Sequence, residues 1–326
     1  MTDLLNGVAS TLRIAREGSF RGAMRSTGLG FRTLQNHIKK LEEELGFVIF
    51  HRTRDGIVFT TEGKYLLDEA NNIEEILKRI SRLGKSMSND TKGEIMLATT
   101  EGLGIYWISP LLESFNKQNP NIAIRLHASM ALTDMRRFEV DVALQVVEPI
   151  LPDIKRVKIG RLHLILAASQ AYLSKHGEPK NLDDLKRHTF VFHTSPQFSD
   201  RHMIQEVVGT KLSQAQFIEM RNSSAHYVTI ERGMGIGFLP SYIFGVGSSI
   251  VPLALPVRHA LDIWLCFHEK GRSTPRIATV IDWLSAIFDP RLYPWFRREF
   301  VAPKDFDKIT SVTGVKEVLA NLHIRG

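Results

Sequence analysis

Residues 19–46, SFRGAMRSTGLGFRTLQNHIKKLEEELG, decide the fold of the first part of this chain. Ser19 is a helix-capping residue type, apolar residues follow it at helical spacing, and Gly-Leu-Gly at 28–30 then interrupts the helix. A second helix is predicted over residues 31–45, with one apolar face formed by Leu34, Ile38, Leu41 and Leu45. Two short helices around a glycine-containing turn are typical of a helix-turn-helix.

The other face of the second predicted helix carries side chains that can donate hydrogen bonds to base edges and phosphates. They are Arg32, Thr33, Gln35, Asn36, His37, Lys39 and Lys40. The first turns of the second helix are the part of a helix-turn-helix that enters the major groove. The pattern therefore predicts binding of double-stranded DNA, with an ordinary solvated polar face as the alternative.

A β-hairpin is predicted directly after this helix. Short β-type runs at 47–50 and 57–59 flank Asp55-Gly56, a dipeptide that favours a tight hairpin turn. Arg52 and Arg54 lie at the base or tip of this hairpin, where a guanidinium can reach a phosphate or the minor groove. Residues 1–60 are therefore predicted to form a winged helix-turn-helix domain.

This arrangement resembles the N-terminal domain of LysR-type transcriptional regulators. The resemblance is carried by Gly18, Ser19, Phe20, Ala23, Leu34, Ile38, the run LEEELG at 41–46, Phe50, Arg52, Thr60 and Gly63. The chain departs from the family at 30–35, where it has GFRTLQ in place of the usual Ser-Gln-Pro-Ala-Leu-Ser. Phe31 thus stands where the family has a polar contact residue, and we count it with Ser19 among the predicted DNA-binding residues.

Length and composition set broad limits. The chain has 326 residues, a formal net charge of +7 and a hydrophobic fraction of 43%, which suits two or three globular domains and a polyanionic partner. The one cysteine, Cys266, cannot form a disulfide within the chain and is predicted to be buried, in a reducing compartment. Because no stretch has the apolar length to cross a bilayer, no membrane partner and a cytoplasmic location are expected.

Residues 61–87 predict one long helix with apolar residues at heptad spacing. The residues of this seam are Leu66, Ala70, Ile73, Leu77 and Ile80. We expect the seam to pair with a second copy of the chain in a homodimer or homotetramer, with packing on its own winged domain as the alternative. Polar residues and glycines at 84–93 predict a hinge, so residues 61–92 are assigned to the linker.

Strand-like and helical patterns alternate over residues 93–288, which predicts an α/β fold with parallel strands. Strands are predicted at 94–98, 122–127, 140–146, 162–168, 189–193, 215–220, 236–239 and 263–268, and helices at 105–117, 132–138, 170–176, 182–185, 198–208, 223–232 and 277–288. The region resembles the two-lobed effector-binding domain of the same family, itself similar to periplasmic solute-binding proteins. The resemblance implies two Rossmann-like lobes, lobe I at about 93–160 and 262–288 and lobe II at about 161–261. Residues 289–326 extend beyond the family pattern.

A small-molecule effector is expected between the lobes. Thr99, Thr100 and Glu101 join the first strand to the next helix, and a helix N-terminus there suits a carboxylate. The charge of Glu101 would compete with an anionic effector, and the alternative is a cationic or hydroxylated one. The resemblance places further residues around the cleft: Met130, Val146, Val147, Thr194, Ser195, Asn222 and Ser223. The identity of the effector stays open.

No catalytic, cofactor or metal site is predicted. The glycines at 233, 235 and 237 follow a predicted helix and precede a strand, the reverse of the order in a dinucleotide-binding loop. His188, His193 and His202 are too irregularly spaced to indicate a metal site. The resemblance therefore implies a LysR-type transcriptional regulator, with RNA polymerase as a further expected partner. The alternatives are a cytoplasmic small-molecule binding protein that does not bind DNA, and an α/β enzyme that uses the cleft.

Overall fold

The computed structural model describes residues 2–53, 56–86, 91–133, 135, 140–201 and 216–309. The chain divides into two compact units, Met1–Lys85 and Ser86–Gly326. Within the described ranges, no helix combines the length and the apolar character that a bilayer span requires.

The first unit is mainly helical. Its elements are α1 (Thr2–Glu17), α2 (Phe20–Thr27), α3 (Phe31–Leu45), β1 (Phe50–Thr53), β2 (Gly56–Phe59) and α4 (Thr61–Ser86). Helix α1 was not predicted from the sequence, and it contributes Val8, Leu12 and Ile14 to the core. Helix α1 lies so close to α3 that a Cβ at Gly7 would come within 2.7 Å of Leu41 Cβ.

The predicted helix-turn-helix is confirmed. The Ser19 side chain accepts a hydrogen bond from Gly22 N, and α2 ends at Gly28, whose φ of 72° is left-handed. Gly30 has an ordinary φ of −68°, so the turn needs only one of the two predicted glycines. Leu34, Ile38 and Leu41 are buried as expected.

The predicted wing is present, although its first strand begins at Phe50 instead of residue 47. Ile49 is buried in the core and its backbone N–H donates to Glu42 Oε1 at 2.8 Å, which holds this segment against α3. Strands β1 and β2 pair antiparallel from Phe50–Phe59 to Thr53–Gly56. Arg54 and Asp55 lie outside the described residues.

Helix α4 differs from the predicted exposed seam in its first half. Ala70 is fully buried in the core of its own unit, and Leu66 and Ile73 pack partly against that core. The seam prediction was therefore wrong for Ala70, because a partner chain cannot reach it. Leu77 is 55% exposed, and the side chain of Ile80 lies outside the described part of the helix.

The second unit is α/β. Its elements are β3 (Gly93–Thr99), α5 (Glu101–Leu103), a π-helical turn (Gly104–Ile108), α6 (Ser109–Gln118), β4 (Ile122–Ala128), β5 (Val142–Gln145), β6 (Ile154–Ser169), α7 (Gln170–His176), β7 (Phe190–Ser195), β8 (Phe198–Ser199), β9 (Phe217–Met220), α8 (Ser223–Glu231), β10 (Gly237–Pro240), α9 (Tyr242–Gly245), β11 (Ile250–Pro252), β12 (Arg258–His268), α10 (Pro275–Ile287) and α11 (Phe306–Ile309). Short 3₁₀ turns lie at Asp184–Arg187, Gly271–Ser273, Pro294–Phe296 and Pro303–Asp305.

The main sheet is mixed, which corrects the expectation of parallel strands. Its order is β10-β6-β12-β5-β3-β4, and β11 also pairs with β6. Strand β3 is parallel to β4 and β5, whereas β6 is antiparallel to β10, β11 and β12. A second sheet has the order β8-β7-β9. The long strands β6 and β12 pair from His268–Ile154 to Arg258–Ile165 and run through both lobes of the unit.

Other differences concern the ends of elements. The segment predicted as a helix from residue 198 begins as strand β8, and residues 202–215 lie outside the described range. The predicted helix 132–138 falls mostly on residues that are not described. Helix α8 ends at Glu231 instead of residue 232, and Asn222, whose side chain accepts from Ala225 N, caps its start.

The described part of the C-terminal extension belongs to the core of the second unit. Tyr293, Trp295, Phe296 and Phe306 are buried together with Trp107. The ring centroids of Tyr293 and Phe296 lie 5.0 and 5.1 Å from that of Trp107. Residues 289–309 therefore complete a core whose other members come from the α/β elements. The remaining residues, 310–326, are not described.

Candidate functional site

The polar face of α3 is exposed as the sequence predicts. Arg32, Gln35, Asn36 and Lys39 follow one another at i, i+3, i+4 and i+7, so they form one stripe along the helix. The opposite face packs on α1 and α2 and holds the stripe outward. These side chains are therefore accessible from solvent.

Two basic residues of α3 form exposed ion pairs. Lys39 Nζ lies 3.5 Å from Glu43, and Lys40 Nζ lies 3.0 Å from Asp3. Exposed pairs contribute between about 0 and 1 kcal/mol, so a phosphate can replace these carboxylates at little cost. His37, which the sequence placed on the same polar face, is half-buried and its Nδ1 is hydrogen-bonded to Ser10 Oγ at 2.9 Å.

Arg52 of the wing stacks on two aromatic rings of the helix-turn-helix. Its guanidinium carbon lies 4.0 Å from the ring centroid of Phe20 and 5.2 Å from that of Phe31. The two rings are themselves 5.5 Å apart. The Phe31 ring covers one side of the Arg52 guanidinium. Phe31 is still 40% exposed, and Arg52 is exposed as well. Ser19 serves as the cap of α2, and Thr33 is exposed on α3.

A cavity of about 70 Å³ lies in the second unit, where α5, the π-helical turn and α8 meet β6 and β10. Of the predicted effector residues, four line it: Thr100, Met130, Val146 and Ser223. The structure adds lining residues that sequence analysis did not select: Gly102, Tyr106, Leu162, Leu164, His193, Phe198, His226, Tyr227, Phe238 and Tyr242. His226 and Tyr227 follow Ser223 at i+3 and i+4 on α8, a spacing that could have identified them.

Other predicted effector residues have structural roles or lie outside the lining. Ser195 Oγ donates to Phe198 O at 3.0 Å and closes the turn between β7 and β8. Asn222 caps α8, and Val147 is 37% exposed. Thr99 is buried, and its hydroxyl and that of Thr194 have no hydrogen-bond partner among the described residues.

Glu101 bridges α5 and the N-terminus of α8. Its Oε2 accepts from the Ser223 backbone N–H at 2.9 Å, and its Oε1 accepts from Ser224 Oγ at 2.7 Å. A carboxylate of the chain itself therefore occupies the helix end, where backbone N–H groups and the helix dipole favour an anion.

Two histidines and an aspartate form a buried cluster beside the cavity. The rings of His193 and His226 stack with centroids 5.5 Å apart, and Asp200 Oδ1 accepts from His193 N at 2.9 Å. His226 Nε2 donates to Val191 O at 2.9 Å and lies 3.9 Å from Asp200 Oδ2. No hydrogen-bond partner for His193 Nε2 or Asp200 Oδ2 occurs in the described parts of the chain.

Burial keeps all three groups neutral at pH 7. It lowers the pKa of His193 to about 4 and the pKa of His226 to about 3, and it raises the pKa of Asp200 to about 8. The imidazoles are therefore uncharged and the carboxyl is protonated. This cluster could not be predicted from the sequence, because its members come from β7, the segment after β8, and α8.

Tyrosines supply further polar atoms of the cavity. The rings of Tyr106 and Tyr227 are 5.1 Å apart, and Tyr227 Oη is hydrogen-bonded to Ser248 Oγ at 3.1 Å. Burial raises the pKa of Tyr227 to about 12 and also raises the pKa values of Tyr106 and Tyr242. The cavity thus contains neutral phenols and imidazoles among apolar side chains. Among the described residues, no group of histidine, cysteine, aspartate and glutamate side chains could hold a metal ion.

Two family models match the chain, and the boundary between the two structural units lies between the matched regions. Residues 5–64 match the profile described as the bacterial regulatory helix-turn-helix protein, lysR family. Residues 88–289 match the profile described as the LysR substrate binding domain. The second match alone covers more than half of the chain.

Curated relatives and solved structures show the same similarity. An HTH-type transcriptional regulator of Xanthomonas campestris pv. campestris is 32% identical over 190 residues, which cover 58% of this chain and 55% of that protein. The probable HTH-type transcriptional regulator LtrA of Klebsiella pneumoniae is 22% identical over 87% of this chain and 94% of its own length. The full-length virulence activator AphB of Vibrio cholerae, a member of the LTTR protein family, has a TM-score of 0.54 at 20% identity, covering 86% of this chain and 98% of that one.

Proposed function

The chain belongs to the LysR family of bacterial transcriptional regulators, and from this premise we propose that it binds operator DNA through α3 and the wing under the control of a small molecule in the second unit. The observation that carries the DNA-binding part is the exposed stripe Arg32, Gln35, Asn36 and Lys39, which continues into the first turn of α3. In a helix-turn-helix, this turn enters the major groove.

The predicted DNA-binding residues divide into two roles. Arg32, Gln35 and Asn36 read base edges, because their donors and acceptors match guanine and adenine in the major groove. Lys39, Lys40 and Arg52 hold phosphates, as does Arg54, which lies outside the described residues. Thr33 is a polar contact beside them, while Ser19 and Phe31 act by positioning α2 and the Arg52 guanidinium.

Binding of matched duplexes by single alanine variants tests this division. We expect Arg32→Ala to relax the preference at one base pair by about 1–3 kcal/mol. Arg52→Ala should weaken cognate and random duplexes alike and reduce the salt slope by about one. Arg272→Ala is the control, because Arg272 is exposed in the second unit and pairs with Asp282 at 2.8 Å. The assignment fails if Arg32→Ala and Arg52→Ala have the same effect on cognate and random DNA.

The cavity of the second unit is the proposed effector site. It is lined by residues of α5 and α8, the two helices that Glu101 connects through its hydrogen bond with Ser223 N. A ligand with unequal affinity for two arrangements of these segments shifts their populations, by a coupling energy of typically about 1–3 kcal/mol. Only such differential binding is needed for control of transcription.

The domain scheme follows from the same proposal. Residues 1–60 form the DNA-binding domain, residues 61–92 the linker, residues 93–288 the effector-binding domain, and residues 289–326 an extension. We propose that the exposed part of the α4 seam, at Leu77, joins two copies into a dimer, or into a tetramer with a further interface. Contact with RNA polymerase would then depend on where the operator lies.

The proposed location is the cytoplasm, because the operator DNA lies there.

No enzymatic activity is proposed for the cavity. A histidine and aspartate that act together in proton transfer require an ionised carboxylate beside the imidazole. Here burial holds Asp200 protonated at pH 7, with its pKa raised to about 8. The cluster next to the cavity is therefore suited to hydrogen bonding with a ligand and poorly suited to general base catalysis.

A further inference from the structure

The lining of the cavity contains no lysine, arginine, aspartate or glutamate among the described residues. Its titratable members are His193, His226 and three tyrosines, and burial keeps both imidazoles uncharged at neutral pH. A carboxylate that entered the cavity would lose water without gaining a lysine or arginine partner from the described lining. A charged ligand needs an opposite charge in its site, because desolvation of an unpaired charge is costly.

The helix end that could have bound an anion is already occupied. Glu101 accepts from Ser223 N and from Ser224 Oγ, and Asn222 accepts from Ala225 N. The first turn of α8 is thus capped by two side chains of the chain itself. An anionic ligand would have to displace Glu101 and would be repelled by its charge.

The remaining polar atoms suit one or two hydrogen bonds from a neutral ligand. Among the described residues, the one acceptor for Ser223 Oγ is the weak acceptor Met130 Sδ, at 3.5 Å. Apolar side chains, among them Leu162, Leu164 and Phe238, make up most of the other walls. A volume of about 70 Å³ has room for several water molecules, so the cavity suits a compact ligand.

We propose that the effector of this regulator is a compact, uncharged and largely apolar molecule with one or two hydrogen-bonding groups, and that Glu101 excludes carboxylates from its site. This inference rests on the proposed effector function of the cavity. It adds a chemical class of ligand, and it assigns Glu101 to ligand selection as a residue that acts through its charge.

Calorimetric titration of the full chain at pH 7.5 with matched probes tests the proposal. The probe pairs are phenol with benzoate, indole with indole-3-carboxylate, and cyclohexanol with cyclohexanecarboxylate, and benzylamine is the cationic probe. We expect at least one uncharged probe to bind at least about tenfold more tightly than its carboxylate partner and than benzylamine. Preference for a carboxylate or for the amine, or no binding by any probe, overturns the proposal.

Variants show whether binding occurs in this cavity. A Cβ at Gly102 would lie 3.4 Å from Ser223 Cβ and from Tyr242 Oη, so Gly102→Leu places its side chain in the cavity. Gly102→Leu and Val146→Phe should both abolish binding of the uncharged probe. Val228→Leu, at a 44% exposed position of α8, should leave it unchanged. Binding that survives both filling variants contradicts the assignment to this site.

Glu101→Gln tests the exclusion of anions. Glutamine keeps an oxygen for Ser223 N and removes the charge. We expect carboxylate affinity to rise at least about tenfold while affinity for the uncharged probe changes less than about twofold. An unchanged ratio contradicts the role of Glu101. Retardation of operator DNA by each variant, measured without a probe, reports separately on the proposed DNA binding. DNA binding is therefore tested even if the effector belongs to another chemical class.

Discussion

Asp200 shows how burial determines the charge state of a single residue. Its side chain is fully buried, and the imidazoles of His193 and His226 are buried beside it. Desolvation is the largest influence on all three groups, so the cluster stays neutral although an aspartate and histidines are adjacent. The cluster therefore makes folding stability depend on pH.

We expect Asp200→Asn to stabilise the second unit increasingly as pH rises from about 5 to 8. The folded pKa of about 8 exceeds the unfolded value, so the contribution of Asp200 is largest in acid and is lost as pH rises through the folded pKa. Asparagine resembles the protonated carboxyl and does not titrate. The difference from the parent chain should grow by up to about 1.4 kcal/mol per pH unit, measured by urea unfolding.

The histidines of the cluster have the opposite dependence. The folded pKa values of about 4 for His193 and about 3 for His226 lie below the unfolded value, so their contribution is lost as pH falls. The parent chain and Asp200→Asn should therefore lose stability in parallel below about pH 6. A difference between parent and Asp200→Asn that is constant from pH 5 to 8 would show that Asp200 is ionised in the folded chain.

Among the elements, those with local signals could be predicted from sequence. Helices α3 and α7 have the predicted ends, because Gly46 and Gly177 follow them and Ser169 caps α7. Strand β6 was predicted from residue 162 but begins at Ile154. Its first five residues, IKRVK, are mostly charged and largely exposed. They form a strand because they pair with β12, about a hundred residues later, which no local pattern reveals.

The candidate sites show the same distinction. The DNA-binding residues lie on one helix and one hairpin, so helical spacing and a turn dipeptide were enough to select them. The cavity joins segments that are far apart in sequence, and only Thr100, Met130, Val146 and Ser223 of its lining were selected. Glu101 was selected for proximity to the ligand, but its contacts with Ser223 and Ser224 could only come from the fold.

For α4, we expect Leu77→Glu to dissociate the proposed dimer without unfolding the first unit. Leu77 is 55% exposed, so the new carboxylate is solvated in the monomer but buried at a seam between two copies. Asn72→Glu is the control, since Asn72 is exposed on a different face of the helix. Light scattering measures the mass, and an unchanged mass for Leu77→Glu contradicts a seam at this residue.

At the scale of the whole molecule, the extension beyond the family pattern is part of the folded core. Residues 293–296 contribute three buried aromatic side chains to the cluster around Trp107, whose Nε1 donates to Ile287 O at 3.1 Å. His163 of β6 is hydrogen-bonded through Nε2 to Arg297 O at 2.9 Å. The segment therefore contacts both the core and one of the strands that run through both lobes.

This contact predicts that Trp295→Ala destabilises the second unit by about 3–5 kcal/mol, as for other large buried aromatic residues. The side chain of Trp295 is buried, with 3% exposure. Its ring centroid lies 5.7 Å from that of Trp107 and 5.2 Å from that of Phe306. Trp295→Phe should cost at most about 2 kcal/mol, because most of the ring contacts remain and Nε1 has no partner among the described residues to lose. Guanidinium unfolding followed by tryptophan fluorescence reports on the second unit alone, because all 4 tryptophans of the chain lie within it. Equal stabilities of Trp295→Ala and the parent chain would mean that the extension is dispensable for the fold.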